Sequence, residues 1–179
     1  DIIRNINQLK ADSGVPFVTE LQRIDTLDNP VLIIGIGGTG IDAMLRVKYL
    51  VNKTFVLPSD AKTGHTKAKP DNIEFLAIET NEADRTKTYR GIGIDQGEMC
   101  VISCGNIGTI LANRRQQPEY IRQWLSPSLT INDGISGANG IRQAGRMMFF
   151  QNAGKIGDAI DRKITSITAG DNKKLIVYI

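Results

Sequence analysis

The sequence predicts a three-layer α/β domain, a mostly parallel sheet with helices on both faces. Three observations predict it. An apolar run at residues 31–35 passes straight into a glycine turn and then into a helical pattern. Further apolar runs at 73–79 (IEFLAIE) and 98–103 (EMCVIS) are nearly continuous, as strands buried on both faces read. Helical patterns alternate with these runs, and strand–helix alternation builds a parallel sheet.

The elements follow in order. Residues 1–30 form a mixed, polar N-terminal extension, with a short helix at 2–10 and irregular chain through Pro16 and Pro30. The first strand is 31–35. A helix over 39–52 offers Ile41, Met44, Leu45, Val47 and Val51 to the sheet. Residues 53–72 read as a polar loop. The second strand is 73–79 and the third 98–103. A helix runs over 118–125, with Pro118 tolerated in its first turn, and 126–140 is loop, rich in Ser, Pro, Asn and Gly. The last helix carries one continuous stripe, Phe149, Ala153, Ile156, Ile160, Ile164 and Ile167, spaced by threes and fours to pack on the sheet. Gly154 and Gly157 inside it cost about 1 kcal/mol each relative to alanine; close packing against a neighbour would explain them. Gly170 ends that helix, and the fourth strand is 174–179.

Composition excludes several classes. The chain has 179 residues, enough for one domain with a substantial core. A net charge of +3, spread along the chain, makes no basic face for nucleic acid. The densest basic stretch, 62–69, lies in a polar loop. No run approaches the roughly 18 apolar residues of a membrane span, and no signal peptide is visible, so the reading is cytoplasmic. Cys100 and Cys104 have no second ligand pair for zinc and read as reduced, buried thiols. His65, the sole histidine, has no partner for a triad or a metal. Trp124 reads as a packing residue. The closing KKLIVYI reads as a buried strand with nothing after it. The expectation is therefore the front part of a longer domain, with an open sheet edge that favours self-association.

Chemistry is expected at the carboxyl ends of the strands. GIGGTG at 35–40 joins a strand to a helix: glycines allow close backbone approach to an anion, and free N–H groups at a helix start point at it. The match to G-x-G-x-x-G is weak alone. ETNEAD follows the second strand. SGANGIRQAGR at 136–146 is a second glycine loop opening onto a helix, and it reads equally as an ordinary helix-capping turn. Two such loops at one sheet edge could grip two parts of one polyphosphate. Arg142 and Arg146, at i and i+4, could reach a phosphate or a partner, or be plain surface arginines.

Three segments carry a family resemblance. GIGGTGIDA resembles the first phosphate loop of the tubulin/FtsZ superfamily. FLAIETNEAD resembles its segment after the second strand, and SGANGIRQAGR its third loop. Order, strand context and the long helix after the third loop agree. The I-G-[IVL]-G-G-T-G form resembles most the bacterial tubulin-like proteins, over residues 31–179. The resemblance implies a Rossmann-like domain of the tubulin/FtsZ type that binds GTP or GDP, with Mg2+ held through the phosphates. By position, Gly37, Gly38, Thr39 and Gly40 would meet phosphates through backbone N–H, with Asp42 where FtsZ has asparagine. Glu79, Thr80 and Asn81, with Glu82, would lie near the ribose, the phosphates or a water-held magnesium. Asn81 stands where FtsZ is acidic. Gly137, Ala138, Asn139 and Gly140 would form the loop that approaches the terminal phosphate. The family's GGGTG[ST]G loop, base contacts and acidic catalytic loop fall later in its sequences, so the resemblance assigns no catalytic residue to this chain. It implies GTP hydrolysis by positioning and electrostatics, and self-association into filaments.

Two other readings stay open. A dinucleotide-binding oxidoreductase domain would use Gly35, Gly37 and Gly40, with Glu79 on a ribose hydroxyl. However, the acidic residue falls 39 positions after Gly40, against about 20 in that fold, and the SGANG loop goes unexplained. A non-catalytic scaffold that kept the fold is the third reading.

Overall fold

The computed structural model describes residues 29–54, 70–103, 107–129, 137–138, 140–168 and 174–179. In chain order the elements are β1 (Val31–Ile36), α1 (Gly37–Thr54), β2 (Ile73–Glu79), β3 (Thr88–Tyr89), β4 (Ile92–Gly93), β5 (Met99–Val101), α2 (Ile107–Ala112), α3 (Glu119–Arg122), α4 (Arg142–Gln151), α5 (Ala153–Thr168) and β6 (Ile176–Tyr178). The expected helix at 2–10, the basic stretch 62–69 with His65, Cys104 and Gly170 lie outside the described residues.

The four long-range strands pair in parallel in the order β5-β2-β1-β6, with Val31 opposite both Ile73 and Ile176 and with Ala77 opposite Met99. The chain steps outward from β1 to β2 to β5, then returns to the other side of β1. Crossovers of one hand then put the helices of the two directions on opposite faces, as found. One face packs Val31, Ile73, Phe75 and Ala77 against Ile41, Met44 and Leu45 of α1. The other packs Leu32, Ile34, Leu76 and Ile78 against Ile156, Ala159 and Ile167 of α5. Alternate residues of β1 and β2 thus serve opposite layers, which is why both runs are apolar throughout. Val47, expected against the sheet, is exposed instead, because it lies off the buried line of Ile41, Met44 and Leu45.

The last helix differs from its expectation. The stripe is broken at Asn152, whose side-chain amide donates to the Met148 and Ile102 carbonyl oxygens at 2.8 and 3.3 Å. Two helices result, each burying its own surface. Ala144, Met147 and Met148 of α4 pack with Ile107, Ile110, Ile121 and Leu125, whereas Ile156, Ala159 and Ile167 of α5 pack on the sheet. Phe149 and Ala153 therefore leave the sheet-facing stripe, and both are exposed. Close packing does not account for the helix glycines: a Cβ on Gly154 or Gly157 would meet nothing within 4 Å. The helix expected over 118–125 is the single turn α3, and α2 precedes it unforeseen. The third and fourth strands are shorter than expected.

A small antiparallel hairpin, β3–β4, was not anticipated. Its two-residue turn has Arg90 at φ 51° and Gly91 at φ 82°, the backbone a twisted hairpin favours. It is tied to α1 by Lys48, whose buried ammonium donates to Gly93 O, Asp95 Oδ2 and Glu98 Oε2 at 2.9, 2.8 and 2.5 Å. This anchorage matters below, because the residue entering the hairpin reaches the first glycine loop.

Candidate functional site

At the end of β1 the chain turns at Gly37 (φ +71°) and enters α1 with no intervening loop. Gly35 makes this possible. A Cβ there would stand 2.6 Å from the Gly40 carbonyl oxygen, so strand end and first helical turn touch backbone to backbone. The N-terminus of an 18-residue helix is thereby fixed at the sheet edge, with no acidic residue in its first turn. Its unpaired N–H groups and dipole make it a positive pole.

Next to it, β2 ends in Glu79, which is buried at 6% exposure. Its Oε1 accepts from Thr80 N (2.6 Å), Thr80 Oγ1 (2.9 Å) and Asn81 N (3.1 Å). One carboxylate oxygen so shapes the turn that follows the strand. Asn81 then caps the 3-10 turn Glu82–Thr86, with Oδ1 accepting from Ala83 N at 3.1 Å. The third loop arrives through Gly137 (φ +89°) and Gly140 (φ +73°). Ala138 N donates to Thr80 Oγ1 at 3.1 Å, and Ala138 O accepts from Ile141 N at 2.8 Å. From there α4 starts with Ile141 in the capping position and no side-chain cap, so its first N–H groups are a second positive pole.

These segments surround one cavity of about 480 Å³. Of the residues expected at the site, Gly37, Gly38, Glu79, Thr80, Asn81, Gly137, Ala138 and Gly140 line it. Thr39, Gly40 and Asp42 do not: Thr39 is exposed, Gly40 packs on Gly35, and Asp42 is turned to Lys87. Asn139 lies outside the described residues. Arg142 and Arg146 both line the cavity, and among the described residues neither forms an ion pair with a carboxylate. Arg146 also lies over the Trp124 ring at 4.3 Å, and Trp124 stacks on Phe150. Trp124 thus packs as expected, but beneath a cavity-lining guanidinium.

Sequence reasoning missed two features. The first is an apolar wall of Ile36, Ile78, Ile102, Ile141 and Phe149; the helical period assigned Phe149 to the sheet, whereas it lines the cleft. The second is Lys87, whose ammonium donates to Gly38 O at 3.2 Å and pairs with Asp84 and Asp42 at 3.3 and 3.4 Å. Burial works against its charge, but the hydrogen bonds and charges of Asp84 and Asp42 outweigh that and raise its pKa. The i,i+3 spacing from Asp84 was its only local signal.

The cavity suits an anion. Two helix N-termini and two arginines face it, and among the described residues no three His, Cys, Asp or Glu side chains gather to hold a metal. A divalent ion would be carried mainly by phosphate oxygens and waters, with Glu79 the acidic side chain of the lining. Elsewhere, burial pushes the Cys100 thiol up, against the opposing charges of Lys155 and Arg162, so it is a packing residue rather than a nucleophile. No helix among the described residues is long and apolar enough to cross a membrane.

A parallel sheet that brings three chain segments to one cleft at its carboxyl edge defines an α/β protein of the doubly wound, Rossmann-like class. The family model described as tubulin-like matches residues 32–178. The chain belongs to the tubulin-like family. Neither the curated proteins nor the solved structures yield a match.

Proposed function

We propose that this cleft binds a guanine nucleotide, GTP or GDP, by its phosphates together with Mg2+, and that the chain serves a GTP-hydrolysing, self-associating protein of tubulin type. The observation that carries the reading is the pairing of two glycine segments, Gly37 with Gly38 and Gly137 with Gly140, each opening a helix N-terminus toward one cavity. Membership of the tubulin-like family supports it. Backbone N–H groups and helix dipoles supply the phosphate binding, and Arg142 and Arg146 add charge that no carboxylate among the described residues pairs with.

The dinucleotide reading is weaker on one point of geometry. One carboxylate oxygen of Glu79, Oε1, already accepts three hydrogen bonds from its own turn, which leaves only Oε2 for a ribose. Calorimetry of the chain with GTP, ATP and NAD in the presence of magnesium tests the proposal. Preference for GTP is expected. Preference for NAD overturns it, and absence of binding to any of the three favours a scaffold that kept the fold.

A further inference from the structure

The two positive poles of the cleft are held in different ways. The first, at Gly37–Gly38, is fixed by covalent continuity with β1, by the Gly35–Gly40 contact and by Lys87 on Gly38 O. The second, at α4, follows a loop and lacks a side-chain cap. The loop that leads into it is joined to the end of β2 by the hydrogen bond from Ala138 N to Thr80 Oγ1, 58 positions apart in sequence. The contact is close-fitting: a Cβ on Gly137 would stand 3.0 Å from the same Thr80 oxygen and 3.1 Å from Asn81 Cβ.

Thr80 is not free to choose another partner. Its hydroxyl hydrogen goes to Glu79 Oε1 at 2.9 Å, which leaves the oxygen lone pairs for Ala138 N. Glu79 is nine-tenths buried, and its Oε2 is directed toward the first loop, 4.0 Å from where a Gly38 Cβ would lie. The end of β2 is therefore a wedge between the poles, with Glu79 against one and Thr80 against the other.

We propose that Thr80, oriented by Glu79, is a specificity-determining positioning residue: its hydroxyl fixes the spacing of the two phosphate-binding poles and so sets how many phosphates the cleft grips. The inference rests on the nucleotide reading above. A ligand with one phosphate can engage one pole, whereas a chain of phosphates can engage both. Loosening the second pole then weakens long phosphate chains and spares short ones.

The test compares GTP, GDP and GMP, by calorimetry with magnesium, on the native chain and on Thr80→Val, Thr80→Ser and Thr80→Ala. Valine keeps the shape and removes the hydroxyl; serine restores it. Loss of one such hydrogen bond predicts about a fivefold to tenfold fall in GTP affinity for valine and alanine. GMP is expected to change less than about twofold, GDP to fall between, and serine to behave as the native chain. Equal losses for all three nucleotides, or no loss for any, overturn the inference and leave nucleotide binding standing. Failure of the native chain to bind any of them overturns the nucleotide reading, and this inference with it. Urea midpoints of the variants distinguish a misfolded chain, which loses all three ligands alike, from a displaced pole.

Discussion

Gly35→Ala is the sharpest test of how the first pole is built. The added methyl would lie 2.6 Å from Gly40 O, 2.9 Å from Gly40 C and 3.1 Å from Ile41 N. All three are backbone atoms, so no side chain can rotate away. Ordinary contact begins near 3.4 Å, so the first turn of α1 must retreat by about 0.8 Å or the strand must bend. The turn cannot retreat without disturbing Ile41, Met44 and Leu45, which are buried against Phe75 and Ile73. Overpacking of this kind costs roughly 1–3 kcal/mol. Urea unfolding followed by fluorescence of the single tryptophan, Trp124, would show a lower midpoint at unchanged slope. Binding of GTP is expected to fall with it, since Gly37 and Gly38 move with the turn. A stability within about 0.5 kcal/mol of the native chain, with unchanged GTP affinity, would refute the claim that strand and helix are locked by this contact.

Other substitutions have expected signs. Gly157→Ala should stabilise the chain by about 0.5–1 kcal/mol, since the site is open and helical; a loss in a thermal melt would contradict the geometry. Lys48→Met leaves the buried Glu98 carboxylate with only the Asp95 N–H at 2.7 Å among its described contacts, and should cost about 3 kcal/mol by denaturant titration. Lys48→Met with Glu98→Gln should cost less than the sum of the two single changes, and strict additivity would argue against coupling. Lys87 has a folded-state pKa raised above 10.5. Its contribution to stability is therefore complete below that pH and lost as pH climbs through the higher folded value. The difference in melting temperature between the native chain and Lys87→Met should hold steady up to about pH 10 and shrink beyond it; shrinkage beginning near pH 8 would show that the ammonium does not gain its charge stabilisation from Asp42 and Asp84.

What was legible in the sequence was what neighbours along the chain impose. A β1 that changes within one residue into α1 demands glycine at Gly35 and Gly37, and the demand leaves its mark locally. Strands buried on two faces must be apolar throughout, so β1 and β2 announced themselves and the four-strand parallel sheet followed. The hairpin turn at Arg90–Gly91 left a weaker mark, one glycine between short runs, and passed unnoticed. Helical period found the faces of the last helix but not its interruption at Asn152. A stripe spaced by threes and fours is continuous whether the helix is straight or broken, and the break falls at Asn152, whose amide bonds to Ile102, 50 positions away.

The same limit explains why the candidate site was read by its loops and not by its supports. Backbone that must bind an anion leaves its signature in glycine, because no other residue permits the approach. A side chain that merely holds such a backbone in place has no signature of its own. Lys87 reaches Gly38 across 49 positions, and Thr80 reaches Ala138 across 58. Either could be met by several residue types, each with a reach and a polar end. Asp42 belongs with these supports. Its place one turn into α1 suggested a ligand contact, yet its carboxylate pairs with Lys87 and stays outside the cavity. It thereby helps hold the lysine that reaches the first loop.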